Sequence, residues 1–72
     1  MKSDHWRNVR LDLEKTDVST LGTADCKALL SHVFLVLHEV DQASYTNEIS
    51  KSEVSAILRT TGRLIRELKG KL

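Results

Sequence analysis

The sequence predicts an all-α fold, in which a small helical hairpin or three-helix unit is completed as a homodimeric bundle. Proline is absent and glycine occurs only at Gly22, Gly62 and Gly70, so the chain lacks the frequent turn residues of a β fold. Two long segments carry apolar residues at helical spacing. A chain of this size buries only about 60% of its unfolded surface and needs further stabilisation. The single cysteine, Cys26, excludes an internal disulfide, so a partner chain is expected.

The first helix is predicted over residues 4–15. Trp6, Val9 and Leu13 share one face there at helical spacing. Apolar and charged residues also alternate over residues 8–13, which is typical of a strand. The helix is favoured, and a strand followed by two helices stays open as the alternative.

The second helix is predicted over residues 24–44, after a Ser- and Thr-rich connector at 16–23 whose Thr23 is expected to be the N-cap. Its apolar residues fill one broad stripe, made of Cys26, Leu29, Leu30, Val33, Phe34, Leu37 and Val40. One or two amphipathic neighbours cannot cover so apolar a helix, so we expect it at the centre of a dimeric bundle. Leu35 lies outside the stripe. A buried strand over residues 33–37 is the alternative.

The third helix is predicted over residues 51–69. Ser50 and Glu53 form a capping-box pattern at its start. Its apolar face consists of Val54, Ile57, Leu58, Thr61, Leu64, Ile65 and Leu68. Gly62 lies within the segment and costs about 1 kcal/mol relative to alanine, so the helix either continues through Gly62 or turns there.

The predicted dimer core combines the large apolar residues of the second and third helices. These residues are Leu30, Val33, Phe34, Leu37, Val40, Ile57, Leu58 and Ile65. Residues 1–72 are expected to form one helical domain. A subunit of a larger helical assembly is the structural alternative to the dimer.

The charge of the chain is concentrated at one end. The formal net charge is only +1, which argues against a strong nucleic-acid binder. Residues 1–17 are neutral, residues 18–50 carry −3 and residues 51–72 carry +4. This asymmetry is what an anionic partner of the third helix would need.

The polar face of the third helix is the predicted nucleic-acid-binding site. The candidate residues are Arg59, Arg63, Arg66, Lys69, Lys51 and Ser52. Arginine binds phosphate through two parallel hydrogen bonds and keeps its charge. No aromatic residue interleaves with the arginines, so a double helix, RNA or DNA, is favoured over single strands. Residues 52–68 also loosely fit a helix-turn-helix, with Arg59 at the position usually held by glycine.

Two other interpretations of the same surfaces stay open. Any amphipathic helix has a solvated polar face, and Glu67 can neutralise Arg63 at a spacing of four. The protein is alternatively an adaptor or inhibitor that docks a larger protein through apolar helix faces, with Leu35 and Trp6 as the candidate contacts.

No residue pattern predicts catalysis, a cofactor or a metal. The three histidines lack the spacing of a helical metal pair, and phosphate-loop and nucleophile-elbow motifs are absent. The longest apolar run, residues 33–37, is far shorter than the roughly 20 residues that span a bilayer. We therefore expect a non-enzymatic intracellular, cytoplasmic protein without a membrane partner.

Overall fold

Three α-helices make up the fold. The computed structural model describes residues 2–72, with side chains from Asp4 onward. Helix α1 spans Lys2–Lys15, α2 spans Thr23–Tyr45 and α3 spans Lys51–Lys71, and a short 3-10 turn at Val18–Thr20 joins α1 to α2. The described residues contain no strand, so the predicted all-α class is confirmed.

The helices run up, down and up. Trp6, near the start of α1, lies beside Ile49 and Ser50 in the turn between α2 and α3. Lys71, at the end of α3, contacts the segment that follows α1. Helix α1 is therefore parallel to α3, and both are antiparallel to α2. Within one chain, α3 packs against both other helices, so α3 rather than α2 is its middle helix.

The core lies along α3 and receives side chains from every element. The buried apolar residues are Trp6, Leu13, Val18, Cys26, Val33, Val36, Val40, Ala43, Ile57, Leu64 and Leu68. Thr60 and Thr61 are also buried, and each hydroxyl donates to the carbonyl four residues earlier, at Ala56 and Ile57. These hydrogen bonds remove the cost of placing a hydroxyl in an apolar interior.

The strand alternatives for residues 8–13 and 33–37 are both wrong, because each segment lies inside a helix. Trp6 and Leu13 lie on the same face of α1 because they are seven residues apart, and both side chains are buried in the core. A strand would turn successive side chains to opposite faces. The longer helical pattern therefore outweighs the local alternation.

Two predictions at helix starts need correction. Thr23 is the first residue of α2 rather than its N-cap, which is Gly22 and has no side-chain cap. Ser50 does cap α3, accepting from the backbone N–H of Glu53 at 3.2 Å. The Glu53 carboxylate, however, accepts a hydrogen bond from Arg10 of α1, a tertiary contact that the capping box does not include.

Helix α3 continues through Gly62 without a turn. The helix-turn-helix alternative for residues 52–68 is therefore wrong, because that motif needs two helices at a steep angle. Thr60 and Thr61 are buried where the turn would have to lie. The basic residues of α3 consequently lie along a single continuous helix.

Candidate nucleic-acid interface

The outer side of α3 carries a straight row of basic and small residues. Spaced alternately by three and four, the members of this row are Ser52, Ser55, Arg59, Gly62, Arg66 and Lys69. Residues at this spacing lie above one another on a helix. Every member except the partly buried Gly62 is exposed. We call this set the basic row.

Two arginines of the basic row line the same shallow depression. Its lining consists of Ser55, Leu58, Arg59, Gly62 and Arg66. At 1.5 Å per residue, the arginines are about 10 Å apart along the axis. Gly62 lies between them, and a Cβ built there would meet no atom within 4 Å. The two arginines thus border a gap at Gly62 that no side chain fills.

Ion pairing separates the arginines of the described chain into two groups. Arg7 pairs with Asp4 at 2.8 Å, and Arg63 pairs with Glu67 at 2.9 Å. Arg10 pairs with carboxylates of α1 and α3, and these bonds raise its pKa above the usual value. No carboxylate within residues 4–72 forms an ion pair with Arg59 or Arg66.

The structure brings together only part of the predicted binding set. Arg59 and Arg66 share the depression, and Lys69 follows one turn later on the basic row. Arg63 is partly buried and engaged by Glu67, as the spacing of four suggested. Lys51 lines a different depression, beside the turn between α2 and α3. Ser52 begins the basic row, and its hydroxyl lies 3.2 Å from that of Ser50.

The predicted dimer-core residues divide into two groups in a single chain. Val33, Val40 and Ile57 are buried inside the three-helix unit, where a second copy could not contact them directly. Phe34 and Leu58 are 55% and 51% exposed. Leu30, Leu37 and Ile65 are partly buried at the margin of the core.

A contact of Lys71 was not anticipated from the sequence. Its Nζ donates to the carbonyl oxygens of Leu21 at 2.7 Å, Ser19 at 3.3 Å and Val18 at 3.4 Å. The ammonium group thereby satisfies the carbonyl end of the 3-10 turn and ties it to the end of α3. No local pattern could reveal this contact, because its partners are some 50 residues away along the chain.

The chain shows no match to known proteins: no family model, curated protein or solved structure resembles it significantly. Within the part of the chain that the structure describes, no three His, Cys, Asp or Glu side chains gather where they could hold a metal ion. Over the same residues, every helix is too short or too polar to cross a bilayer.

Proposed function

We propose that this protein binds double-stranded nucleic acid, without catalysis, through Arg59, Arg66 and Lys69 of the basic row. The observation that carries the proposal is the selective lack of pairing: the two arginines without a carboxylate partner border the same open depression. A guanidinium without a partner inside the protein can bind a phosphate oxygen without first breaking an ion pair.

The basic row suits the backbone of a duplex better than exposed bases. Its members are arginine, lysine, serine and glycine, and no aromatic side chain offers a platform for stacking. The gap at Gly62 lets a phosphate approach the helix between the two arginines. Such contacts position a duplex without reading its sequence. The biological outcome we propose is regulation, or shielding of the duplex from other proteins.

A homodimer is part of the proposal. A single chain offers two or three phosphate contacts, which is few for a protein of net charge +1. A twofold dimer presents each contact twice. Affinity would then depend steeply on salt, because each neutralised phosphate releases counterions.

Fluorescence anisotropy with labelled 20-base-pair RNA and DNA duplexes tests the proposal. Binding should weaken about tenfold or more between 50 and 200 mM salt, as expected for two or more phosphate contacts. The variant Arg59→Gln/Arg66→Gln should lose most of the affinity for the duplex. An unlabelled single strand of the same length should compete poorly.

The control is Arg7→Gln/Lys15→Gln, which removes the same charge from α1. Both of these residues are exposed and lie outside the basic row. If the two double variants lose affinity equally, the binding is a general effect of charge and the basic row is not the site. The absence of binding to either duplex at 50 mM salt would reject the function itself.

The second candidate function is docking to a larger protein partner through α2. Leu35 favours it, because this leucine is 54% exposed on a side of α2 away from the core. Trp6, the other predicted contact, is only 7% exposed and belongs to the core. Recovery of one stoichiometric partner after nuclease treatment, and its loss in Leu35→Glu, would support this function over the first.

A further inference from the structure

A second row of residues lies on α2, beside its groove with α3. Its members, spaced three and four apart, are Lys27, Leu30, Phe34, Leu37 and Asp41. Lys27, Phe34 and Asp41 are exposed, and Leu30 and Leu37 are partly buried. Leu37 and Asp41 line a depression together with Leu58 of α3. We call this set the α2 row.

Two copies of the α2 row are complementary to each other when they run antiparallel. Lys27 and Asp41 each lie seven residues from Phe34, which is about 10.5 Å along the helix. Leu30 and Leu37 lie four and three residues from Phe34, on opposite sides of it. If two copies of α2 run antiparallel with Phe34 at the crossing point, Phe34 meets Phe34 and each Leu30 meets a Leu37. Each Lys27 then faces an Asp41 of the other copy, so the dimer contains this pair twice.

The two charges at the ends of the α2 row are available for such pairing. Neither Lys27 nor Asp41 forms an ion pair or a side-chain hydrogen bond within residues 4–72. Parallel copies would instead place like charges together, which is unfavourable. The charges therefore select the antiparallel orientation.

The α2 row and its margin expose large apolar side chains that a second copy would cover. Phe34 and Leu58 are each more than half exposed. These apolar contacts would supply the affinity, because exposed ion pairs contribute little on their own.

We infer that a second copy of this chain covers the α2 row, in an antiparallel twofold contact centred on Phe34. The contact uses Leu30 against Leu37 and Lys27 against Asp41 of the other copy, with Leu58 at its edge. This inference does not depend on nucleic-acid binding, because the basic row and the α2 row share no residue. The two surfaces adjoin at Leu58, which lines the depression beside each row.

Sedimentation equilibrium of the full chain at 10–100 µM gives the first test. The wild type should have twice the 8.1 kDa chain mass. Phe34→Glu should be a monomer, because it places two carboxylates at the crossing point. Leu35→Glu is the matched control: Leu35 is 54% exposed, against 55% for Phe34, and lies off the α2 row. It should remain a dimer. Circular dichroism should show that all three proteins are folded.

Charge reversal tests the orientation. Lys27→Asp and Asp41→Lys should each dissociate about tenfold more readily than the wild type, because each places like charges together twice. An equimolar mixture of the two variants should recover dimers, since both pairs in the mixed dimer are again opposite in charge. The double variant Lys27→Asp/Asp41→Lys should also recover them.

Several results would overturn the inference. They are a monomeric or higher-order wild type, equal dissociation in Phe34→Glu and Leu35→Glu, and no recovery on mixing the two charge variants. A monomer that still binds duplex through Arg59 and Arg66 would overturn the dimer, here and in the proposed function, and would leave the duplex-binding site in place. A Phe34-dependent dimer that binds no duplex would overturn the proposed function alone.

Discussion

Arg10 of α1 donates from its Nε to Oε1 of Glu53 in the first turn of α3, at 3.1 Å. The two residues are 43 positions apart, and both are partly buried. Arg10 also bonds Glu14 at 3.1 Å, so one guanidinium bridges two carboxylates. This bridge fixes the start of α3 against α1. It also explains why the Glu53 carboxylate does not complete the capping box by accepting a hydrogen bond from the backbone N–H of Ser50.

The Arg10–Glu53 pair should show a favourable coupling in a double-mutant cycle with Arg10→Met and Glu53→Gln. Each single variant should unfold at lower urea concentration than the wild type, and the double variant should lose less than the sum of the two. The matched control is the exposed Arg7–Asp4 pair, three residues apart, whose coupling should be smaller. Equal couplings would show that the bridge between helices adds nothing beyond surface charge.

Replacement of Lys71 by methionine should lower the free energy of unfolding by about 1 kcal/mol. The variant leaves three carbonyl oxygens without their charged donor. Thermal and urea unfolding measure the change. Lys69→Met is the control, since Lys69 is exposed on the same turn of α3 and forms no hydrogen bond with the connector. A similar loss in both variants would contradict the role of Lys71.

The substitution Gly62→Ala should stabilise the protein by about 0.5–1 kcal/mol. Alanine is the better helix former, and its methyl group would meet no atom within 4 Å. The melting temperature should rise by a few degrees. Gly70→Ala, close to the end of α3, should have a smaller effect. A destabilised Gly62→Ala variant would show that the surroundings of Gly62 are not open.

Asp17 should contribute to the acid sensitivity of the fold. The hydroxyl of Ser19, and next its backbone N–H, hold the pKa of Asp17 below its usual value of 3.8. Because the folded state favours the ionised carboxylate, its contribution is present above the unfolded pKa and is lost as the pH falls through the lower, folded value.

The difference in melting temperature between the wild type and Asp17→Asn should therefore be largest near pH 6 and shrink towards about pH 2. Asp12→Asn is the control, since Asp12 is an exposed carboxylate of α1. A difference for Asp17→Asn that stays constant over this range would contradict the prediction.

The fold class was predictable because its signals are local. Helical spacing in α2 and α3 and the Ser50 cap depend on residues within a few turns of one another. The position of the core was less predictable. Val36 and Ala43 are buried while Phe34 is 55% exposed, so the side of α2 that faces the core is rotated relative to the predicted stripe. That rotation depends on where α3 packs against α2. The spacing of apolar residues within α2 carries no information about this packing.

The sequence predicted which residues make up the candidate site. It predicted less well which basic side chains are left without a partner inside the protein. The spacing of Arg59, Arg63 and Arg66 placed them on one side of α3, and the spacing of four suggested the pairing of Arg63 with Glu67. The engagement of Arg10 by Glu53 and of Lys71 by the connector depends on contacts between distant parts of the chain. Only the structure shows which cations are left for a ligand.

Helix α3 has one side in the core and carries the basic row on the other. A ligand on that row would therefore recognise only molecules in which the whole bundle is assembled. Mass action would then link folding and binding: at concentrations above its dissociation constant, duplex would raise the stability of the fold in proportion to the logarithm of its concentration. Conversely, a core substitution such as Leu64→Ala would weaken apparent binding without touching the ligand, by reducing the fraction of molecules that are competent to bind.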